Sequence, residues 1–219
     1  MKEKTIPQIE EILKRGTEDI IDREHIQSRL QSGGVLRVKL GIDPTAPAIH
    51  LGRAIPLRKL RAFQDLGHTA VLTIGDFTAT IGDPSDKLSK RPMLTREDVK
   101  KNMEHYLDQL GKIIDISKAE VHYNSEWLAT MSAEELIGLA EAFSMQQILA
   151  RRNFKDRIDS GQDVSVREAL YPILQGYDSV VVKADIELGG FDQLFNLMAG
   201  RVMQKQHHVP EQDIITTQM

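Results

Sequence analysis

Residues 35–53, VLRVKLGIDPTAPAIHLGR, indicate the architecture of the whole chain. The apolar residues at its start predict a strand over 35–41. Two prolines and an aspartate then predict a turn, and a helix is expected over 50–66, where Gly67 ends it. A strand, a short turn and a helix form the first unit of an α/β protein with a parallel sheet.

The same alternation continues on both sides of this unit. Further strands are predicted at 69–75, 119–124, 185–190 and 214–218, and helices at 7–31, 96–114, 132–159 (restarted at Ser132 and Ser144), 165–182 and 191–206. The predicted fold is a doubly wound, Rossmann-like parallel sheet. The expected parts are N-terminal helices over 1–32, half-sheets over 35–124 and 171–219, and a helical insertion over 125–170. Residues 76–94 are predicted to be a loop, long enough to suggest function.

Composition excludes several classes of protein. The 219 residues, 41% hydrophobic and 27% charged, suit one large globular domain. The absence of cysteine excludes disulfides, thiolate zinc sites and a cysteine nucleophile. A net charge of −4 argues against nucleic-acid binding as the sole function. Neither a signal peptide nor a long apolar run is present, so we expect a soluble, cytoplasmic protein without a membrane partner.

Two loops that follow strands carry polar residues suited to ligand binding. His50 opens a helix, where backbone N–H groups favour phosphate, and Gly52 allows a flat group to approach; His50 is alternatively a surface residue beside a turn. In GDFTATIGDPS (75–85), Asp83 is suited to accept a hydrogen bond from a ligand ammonium, although aspartate before proline also favours a simple turn.

Two later segments are ambiguous in the same way. Tyr171, Gln175 and Asp178 share one face of a predicted helix, where they line either a polar pocket or a solvated surface. In LGGFDQLFN (188–196), Asp192 follows two glycines and either holds ribose hydroxyls or caps its own helix.

Together these motifs resemble a known family. HLGR (50–53) resembles the HIGH motif of class I aminoacyl-tRNA synthetases, and GIDPTAPAIHLG, IGDPS, YNSEW, LYPILQGYD and GGFDQ resemble bacterial tyrosyl-tRNA synthetases from about residue 30 to the end. The resemblance implies activation of L-tyrosine by ATP to tyrosyl-adenylate and pyrophosphate, followed by transfer to tRNA(Tyr). Mg²⁺ would accompany ATP, with no resident metal or organic cofactor. It also implies a homodimer, for which 125–170 is the expected interface.

The resemblance also implies roles for individual residues. The catalytic residues would be Thr45, His50, Arg53 and Gln193. Contacts with ATP and the adenylate would come from Gly41, Asp43, His50, Gly52, Gly190 and Asp192. The tyrosine pocket would contain Lys39, Thr78, Asp83, Asn124, Tyr171, Gln175 and Asp178, with Asp178 bonded to the substrate phenol.

The chain departs from the family pattern in four ways. Arg53 replaces the second histidine of HIGH, Lys39 replaces a tyrosine that bonds the phenol, and Phe191 replaces a small hydroxyl residue near the ribose. The second family motif, KMSKS, and the anticodon-binding region are absent. We therefore expect a catalytic domain that is incomplete at its C-terminus and impaired in catalysis. The alternatives are a synthetase-derived interaction module and another nucleotidyltransferase of the HIGH type.

Overall fold

The computed structural model describes residues 5–85 and 93–218 and contains one mixed six-stranded sheet. The strands are β1 (Thr17–Ile21), β2 (Arg37–Ile42), β3 (Thr69–Ile74), β4 (Glu120–Tyr123), β5 (Ile186–Gly190) and β6 (Asp213–Thr217). Their spatial order is β1-β6-β5-β2-β3-β4, and every neighbouring pair is parallel except β1 with β6. The predicted α/β fold class is confirmed, with one antiparallel strand added at an edge.

Helices surround this sheet. They are α1 (Ile6–Lys14), α2 (Arg23–Gln31), α3 (Leu51–Asp65), α4 (Thr78–Ile81), α5 (Arg96–Met103), α6 (Tyr106–Leu110), α7 (Ser125–Leu128), α8 (Ala133–Ala140), α9 (Met145–Leu149), α10 (Arg152–Asp159), α11 (Val166–Val181) and α12 (Leu194–Gln206). Short 3₁₀ turns occupy Ile116–Lys118 and Phe191–Gln193. As predicted, Ser132 and Ser144 begin new helices, because each serine side chain accepts a hydrogen bond from a backbone N–H of the first turn.

Two of the predicted helices are interrupted in the structure. The helix expected over 7–31 is interrupted by β1, because Gly16 turns the chain at φ +65° and the next five residues pair with β6. The segment 1–32 therefore contributes a strand as well as helices. The helix expected over 96–114 ends at Met103 and restarts at Tyr106. The loop expected over 76–94 contains the short helix α4, and its residues 86–92 lie outside the described part of the chain.

Two larger apolar clusters and one small group make up the core. The larger one joins the sheet to α1, α2, α3 and α6, and the other joins α11 and α12 to the helices of the insertion. Val71 on β3 packs with Val182 and Ala184, and Trp127 packs against this group. No helix in the described ranges is long and apolar enough to cross a membrane.

The order of the strands places a crevice at the centre of the sheet. The chain proceeds from β2 outward to β3 and β4, then returns to β5 on the other side of β2 and continues to β6. The direction of winding therefore reverses between β2 and β5. In open parallel sheets, ligands bind at the carboxyl ends of the strands at such a switch point.

Candidate active site

A cavity of about 600 Å³ opens at the carboxyl ends of β2, β3 and β5, next to α11. Every residue predicted for the site lines this cavity except Lys39 and Asn124. Those that line it are Gly41, Asp43, Thr45, His50, Gly52, Arg53, Thr78, Asp83, Tyr171, Gln175, Asp178, Gly190, Asp192 and Gln193. Residues from distant parts of the sequence thus meet at one place, although their chemical roles stay predictions.

Asp43 forms the centre of one wall. Its Oδ1 accepts from Thr78 Oγ1 at 2.8 Å, and its Oδ2 accepts from Tyr171 Oη at 2.9 Å. Gly75 makes this arrangement possible, since a Cβ there would lie 1.9 Å from Asp43 Oδ1. Burial raises the pKa of Asp43 to about 6, the nearby charge of Asp83 adds to the rise, and the hydrogen bond from Thr78 opposes it. Burial also raises the pKa of Tyr171 well above 10, so its phenol stays a hydrogen-bond donor.

Asp178 is buried on α11 and both of its carboxylate oxygens are held. Trp127 Nε1 donates to Oδ1 at 2.9 Å, and Asn124 Nδ2 donates to Oδ2 at 3.2 Å. Burial raises the pKa of Asp178 to about 7, against the opposing effect of the Lys39 ammonium and of these two hydrogen bonds. A carboxylate has about four acceptor positions, so Asp178 retains capacity for a ligand hydroxyl.

Asp83 lies where the cavity meets α12. Its Oδ1 accepts from the Ser85 backbone N–H at 2.9 Å and from Ser85 Oγ at 2.7 Å. Asn196 Nδ2 reaches the same oxygen at 3.3 Å, and Gln193 Nε2 donates to Oδ2 at 2.7 Å. These four contacts fix the carboxylate in one orientation, and its negative charge lies in the lining of the cavity.

Arg53 holds the loop that follows β2. Its Nη1 donates to the Asp43 carbonyl at 2.5 Å and to the Tyr106 hydroxyl, and its Nη2 donates to Thr45 Oγ1 at 3.1 Å. The Arg53 guanidinium can only donate, so Thr45 Oγ1 is the acceptor in this hydrogen bond. The hydroxyl proton of Thr45 therefore remains available to a ligand. The replacement of the second HIGH histidine therefore gives a side chain that lies in the wall of the cavity and organises it.

The same loop is also anchored from α5 and α6. Asn102 Nδ2 donates to the Pro44 carbonyl at 2.9 Å, and Gln109 Nε2 donates to the Pro47 carbonyl at 2.8 Å. Gln109 Oε1 accepts from the Ile49 backbone N–H at 2.9 Å. His50 follows as the exposed residue before α3, and its side chain does not cap that helix. The loop thus presents His50 at the rim on a fixed backbone.

The structure also locates the other two replaced residues, Lys39 and Phe191, and the pocket residue Asn124. Lys39 is fully buried below the cavity, where its ammonium binds Glu187 at 2.8 Å and Ser179 at 2.7 Å, so it contacts neither the cavity nor Asp178 by a hydrogen bond. Asn124, also outside the lining, supports Thr78 and Asp178. Phe191 is half exposed and does not line the cavity.

Sequence reasoning missed several residues of the site. Trp127 and Tyr106 act through side chains that only the tertiary structure brings to Asp178 and Arg53. Thr73 on β3 also lines the cavity, in a strand that is apolar apart from Thr69 and Thr73, and nothing in its local sequence marks it as a site residue. In the described part of the chain, no group of three or more His, Asp or Glu residues is arranged to hold a metal ion.

The fold is shared with solved tyrosyl-tRNA synthetases. Among solved structures, a C-terminally truncated mitochondrial tyrosyl-tRNA synthetase of Coccidioides posadasii aligns with a TM-score of 0.80 at 24% identity, covering 97% of this chain and 67% of that one. The tyrosyl-tRNA synthetase of Archaeoglobus fulgidus, solved with L-tyrosine, aligns with a TM-score of 0.79 at 18% identity, covering 98% and 64%. At these identities the likeness establishes the shared fold.

Sequence comparison establishes the family. Residues 31–219 match the family described as class I tRNA synthetases (W and Y), and the chain belongs to it, on the bacterial tyrosyl side that the motifs indicated. It is 52% identical over 193 residues to tyrosine–tRNA ligase 2 of Vibrio vulnificus, which covers 88% of this chain and 49% of the relative. It is 48% identical over 205 residues to tyrosine–tRNA ligase of Thermotoga maritima, covering 94% and 51%. The chain thus spans about half the length of the curated relatives it matches.

Proposed function

We propose that the cavity binds L-tyrosine and ATP and joins them as tyrosyl-adenylate, with release of pyrophosphate. The observation that carries the proposal is Asp178, a buried carboxylate that two side chains hold in place at the cavity wall and that keeps acceptor capacity for a phenol hydroxyl. Phenylalanine lacks the phenol hydroxyl, so its binding would leave this carboxylate without a hydrogen-bond donor from the ligand. An unpaired buried polar group is a strong source of discrimination, and the rejection of phenylalanine by tyrosyl-tRNA synthetases is a known example.

The amino group of tyrosine is proposed to bind between Asp83, Tyr171 and Gln175. Asp83 is held in one orientation by Ser85 and α12, and its carboxylate supplies the charge that an ammonium requires. Tyr171 stays protonated and is fixed by Asp43. In this position the tyrosine carboxylate points toward the loop after β2, where ATP is proposed to lie.

Activation requires little from the protein beyond placement and charge. A carboxylate oxygen of tyrosine attacks the α-phosphorus of ATP, the bond from that phosphorus to the bridging oxygen breaks, and the electron pair leaves with pyrophosphate. His50 and Thr45 are proposed to donate hydrogen bonds to the phosphates as negative charge moves onto the leaving group. Gly190 and Asp192 are proposed to hold the ribose, and Gln193 to lie near the reacting carboxylate. Mg²⁺ is proposed to enter with ATP as part of the substrate.

The later steps are proposed for a protein of the length of the relatives. That protein would transfer the tyrosyl group to tRNA(Tyr), in the cytoplasm. The described residues supply the activation site for this sequence of reactions. A chain that acted only as an interaction module would have no use for an ordered carboxylate at Asp178 or Asp83, so that alternative is not favoured.

A homodimer is proposed through the helical insertion. Ile137 and Met145, on α8 and α9, are 71% and 53% exposed, and Val166 at the start of α11 is 75% exposed. Exposed apolar side chains clustered on one segment are typical of an interface. Analytical ultracentrifugation of the parent chain and of Ile137→Glu tests this: a dimer that the substitution dissociates supports the proposal, and a monomeric parent chain contradicts it.

Calorimetry of the purified chain tests the proposed function. We expect tyrosine to bind, phenylalanine to bind far more weakly, and a non-hydrolysable tyrosyl-adenylate analogue to bind most tightly. Asp178→Asn should reduce tyrosine affinity at least about tenfold, because the phenol loses its charged acceptor, and should change phenylalanine affinity far less. A folded parent chain that binds neither tyrosine nor the analogue would refute the proposal.

A further inference from the structure

Thr73 is a buried hydroxyl that the assignments above do not use. It is 1% exposed and lines the cavity, and its Oγ1 has no hydrogen-bond partner among the residues that the structure describes. Four other buried side-chain atoms in the described ranges also lack a partner, but none of their residues lines the cavity. A buried hydroxyl without a partner is unfavourable, so its position beside a ligand cavity indicates a partner on the ligand.

The register of the sheet places Thr73 next to the residues that support Asp178. Alternate residues of a strand share a face, so Thr73 lies between Val71 and Gly75 on the same face of β3. Val71 packs near Trp127, which donates to Asp178. The other residue that holds Asp178 is Asn124, whose backbone N–H donates to the Ile74 carbonyl at 3.0 Å. Both supports of the carboxylate therefore contact β3 on either side of Thr73.

The neighbouring strand leaves space on the face of the sheet that carries Thr73. Gly41 on β2 is the register partner of Thr73, and a Cβ added at Gly41 would meet no atom within 4 Å. Both residues line the cavity, so a ligand that fills this space lies next to Thr73.

A bound phenol needs a donor as well as an acceptor. Its oxygen carries one proton and two lone pairs, and Asp178 accounts for the proton alone. The nearby Lys39 ammonium is directed to Glu187, Ser179 and the Gln175 carbonyl, which match its three protons. Trp127 and Asn124 already donate to Asp178.

We propose that Thr73 is a specificity-determining residue whose hydroxyl donates a hydrogen bond to the phenol oxygen of tyrosine, while Asp178 accepts the phenol proton. This inference rests on the proposed function, because it concerns the same amino-acid pocket. The hydrogen bond to the phenol oxygen, which the buried Lys39 cannot make, is thereby assigned to Thr73 on the adjacent strand. The side chain of tyrosine is then held from two sides of the cavity.

Three variants test the inference: Thr73→Val, which has the same shape without the hydroxyl, Thr73→Ser, which keeps it, and Thr69→Val, the same change earlier on the same face of β3. Dissociation constants for tyrosine and phenylalanine are measured by calorimetry, with phenylalanine in competition against the adenylate analogue. Loss of one hydrogen bond should weaken tyrosine binding to Thr73→Val by about 5- to 10-fold. Phenylalanine binding should not weaken, and Thr73→Ser and Thr69→Val should match the parent chain.

The outcomes separate the two proposals. Unchanged tyrosine affinity in Thr73→Val, or an equal loss for tyrosine and phenylalanine, overturns the role of Thr73 and leaves the proposed function intact. A parent chain that binds no tyrosine overturns both. Circular dichroism of each variant, which is expected to match the parent chain, ensures that a loss of affinity reports the contact and not unfolding.

Discussion

Lys39 and Glu187 face each other on the neighbouring strands β2 and β5 as a buried ion pair, with Nζ 2.8 Å from Oε1 and both side chains at most 1% exposed. Ser179 bridges the two, accepting from Lys39 and donating to Glu187 Oε2 at 3.0 Å. The pair lies directly below the tyrosine pocket, and its positive member lowers the pKa of Asp178 against the stronger effect of burial. The ionisation of Asp178 in the pocket therefore depends on the Lys39–Glu187 ion pair, which does not itself line the cavity.

Breaking this pair is expected to destabilise the fold. Lys39→Met should lower the free energy of unfolding by about 3–5 kcal/mol, because it leaves the Glu187 carboxylate buried without a counter-charge. The double variant Lys39→Met/Glu187→Gln should recover much of that loss, since it removes both charges. Urea denaturation measures both effects. A double variant no more stable than Lys39→Met would show that the pair is not the source of the loss.

Tyrosine affinity is expected to rise with pH. The pKa of Asp178 is raised to about 7 and that of Asp43 to about 6, so both carboxyls become protonated as the pH falls from 8 to 5. A phenol hydroxyl donates to the ionised form of Asp178, so binding favours loss of its proton and weakens below pH 7. Calorimetry at pH 6 in buffers of different ionisation enthalpy should detect proton release.

The same titration has a built-in control. Asp178→Asn should bind tyrosine weakly at all pH values and show only the residual dependence that belongs to Asp43. The affinity of the parent chain for phenylalanine should depend on pH no more strongly than the tyrosine affinity of Asp178→Asn does. An equal pH dependence for the two amino acids would contradict the assignment of Asp178 to the phenol.

Arg53 is expected to affect ATP rather than tyrosine. Its guanidinium donates to three groups around the loop after β2, whereas histidine has at most two donors on a shorter side chain. Arg53→His should therefore release Thr45 or Tyr106 and raise the KM for ATP in tyrosine-dependent pyrophosphate exchange by about tenfold, with tyrosine affinity unchanged.

Arg61→His is the matched control for this variant. Arg61 lies on the same helix and bonds Asp65 one turn away at the surface, so its replacement should leave exchange kinetics unaltered. If Arg53→His has a KM for ATP equal to that of the parent chain, the loop is held by Asn102 and Gln109 alone.

Gly75→Ala is expected to disable the site through Asp43. The added Cβ would lie 2.4 Å from Thr78 Oγ1 and even nearer to Asp43, so both side chains must move. Overpacking of this kind costs about 1–3 kcal/mol of stability, and binding of the adenylate analogue should be lost. Gly138→Ala on α8, where a Cβ meets nothing within 4 Å, should stabilise the chain slightly and bind normally. Normal analogue binding by Gly75→Ala would show that the position of Asp43 is not required.

The parts of this structure that sequence predicted well depend on local patterns. Apolar runs and serine caps identified β2, β3, α8 and α9, and alternation of strands and helices predicted a sheet with a crevice at its centre. The residues expected at the crevice came from resemblance to the synthetase motifs, and the cavity contains all but two of them.

The parts that sequence missed depend on partners distant in the chain. The residues of β1 continue a helical spacing, and only the edge offered by β6 makes them a strand. Lys39 was assigned to the pocket because it replaces a tyrosine of the family pattern, whereas its actual partner, Glu187, lies 148 residues away in the chain. Thr73 and Trp127 gain their positions from strand register and from packing between elements, which no local pattern encodes.

The pairing of β1 with β6 has a consequence for synthesis on the ribosome. Thr17 pairs with Thr217, so the N-terminal strand has no partner until almost two hundred further residues have been translated. During that time β1 exposes unpaired backbone groups, and the outer edge of β5 does so once that strand has been translated; such edges are sites for aggregation. Asp213–Thr217 therefore completes the sheet late and acts as its closing strand. A nascent chain halted before this strand should depend on chaperones far more than one halted just after it.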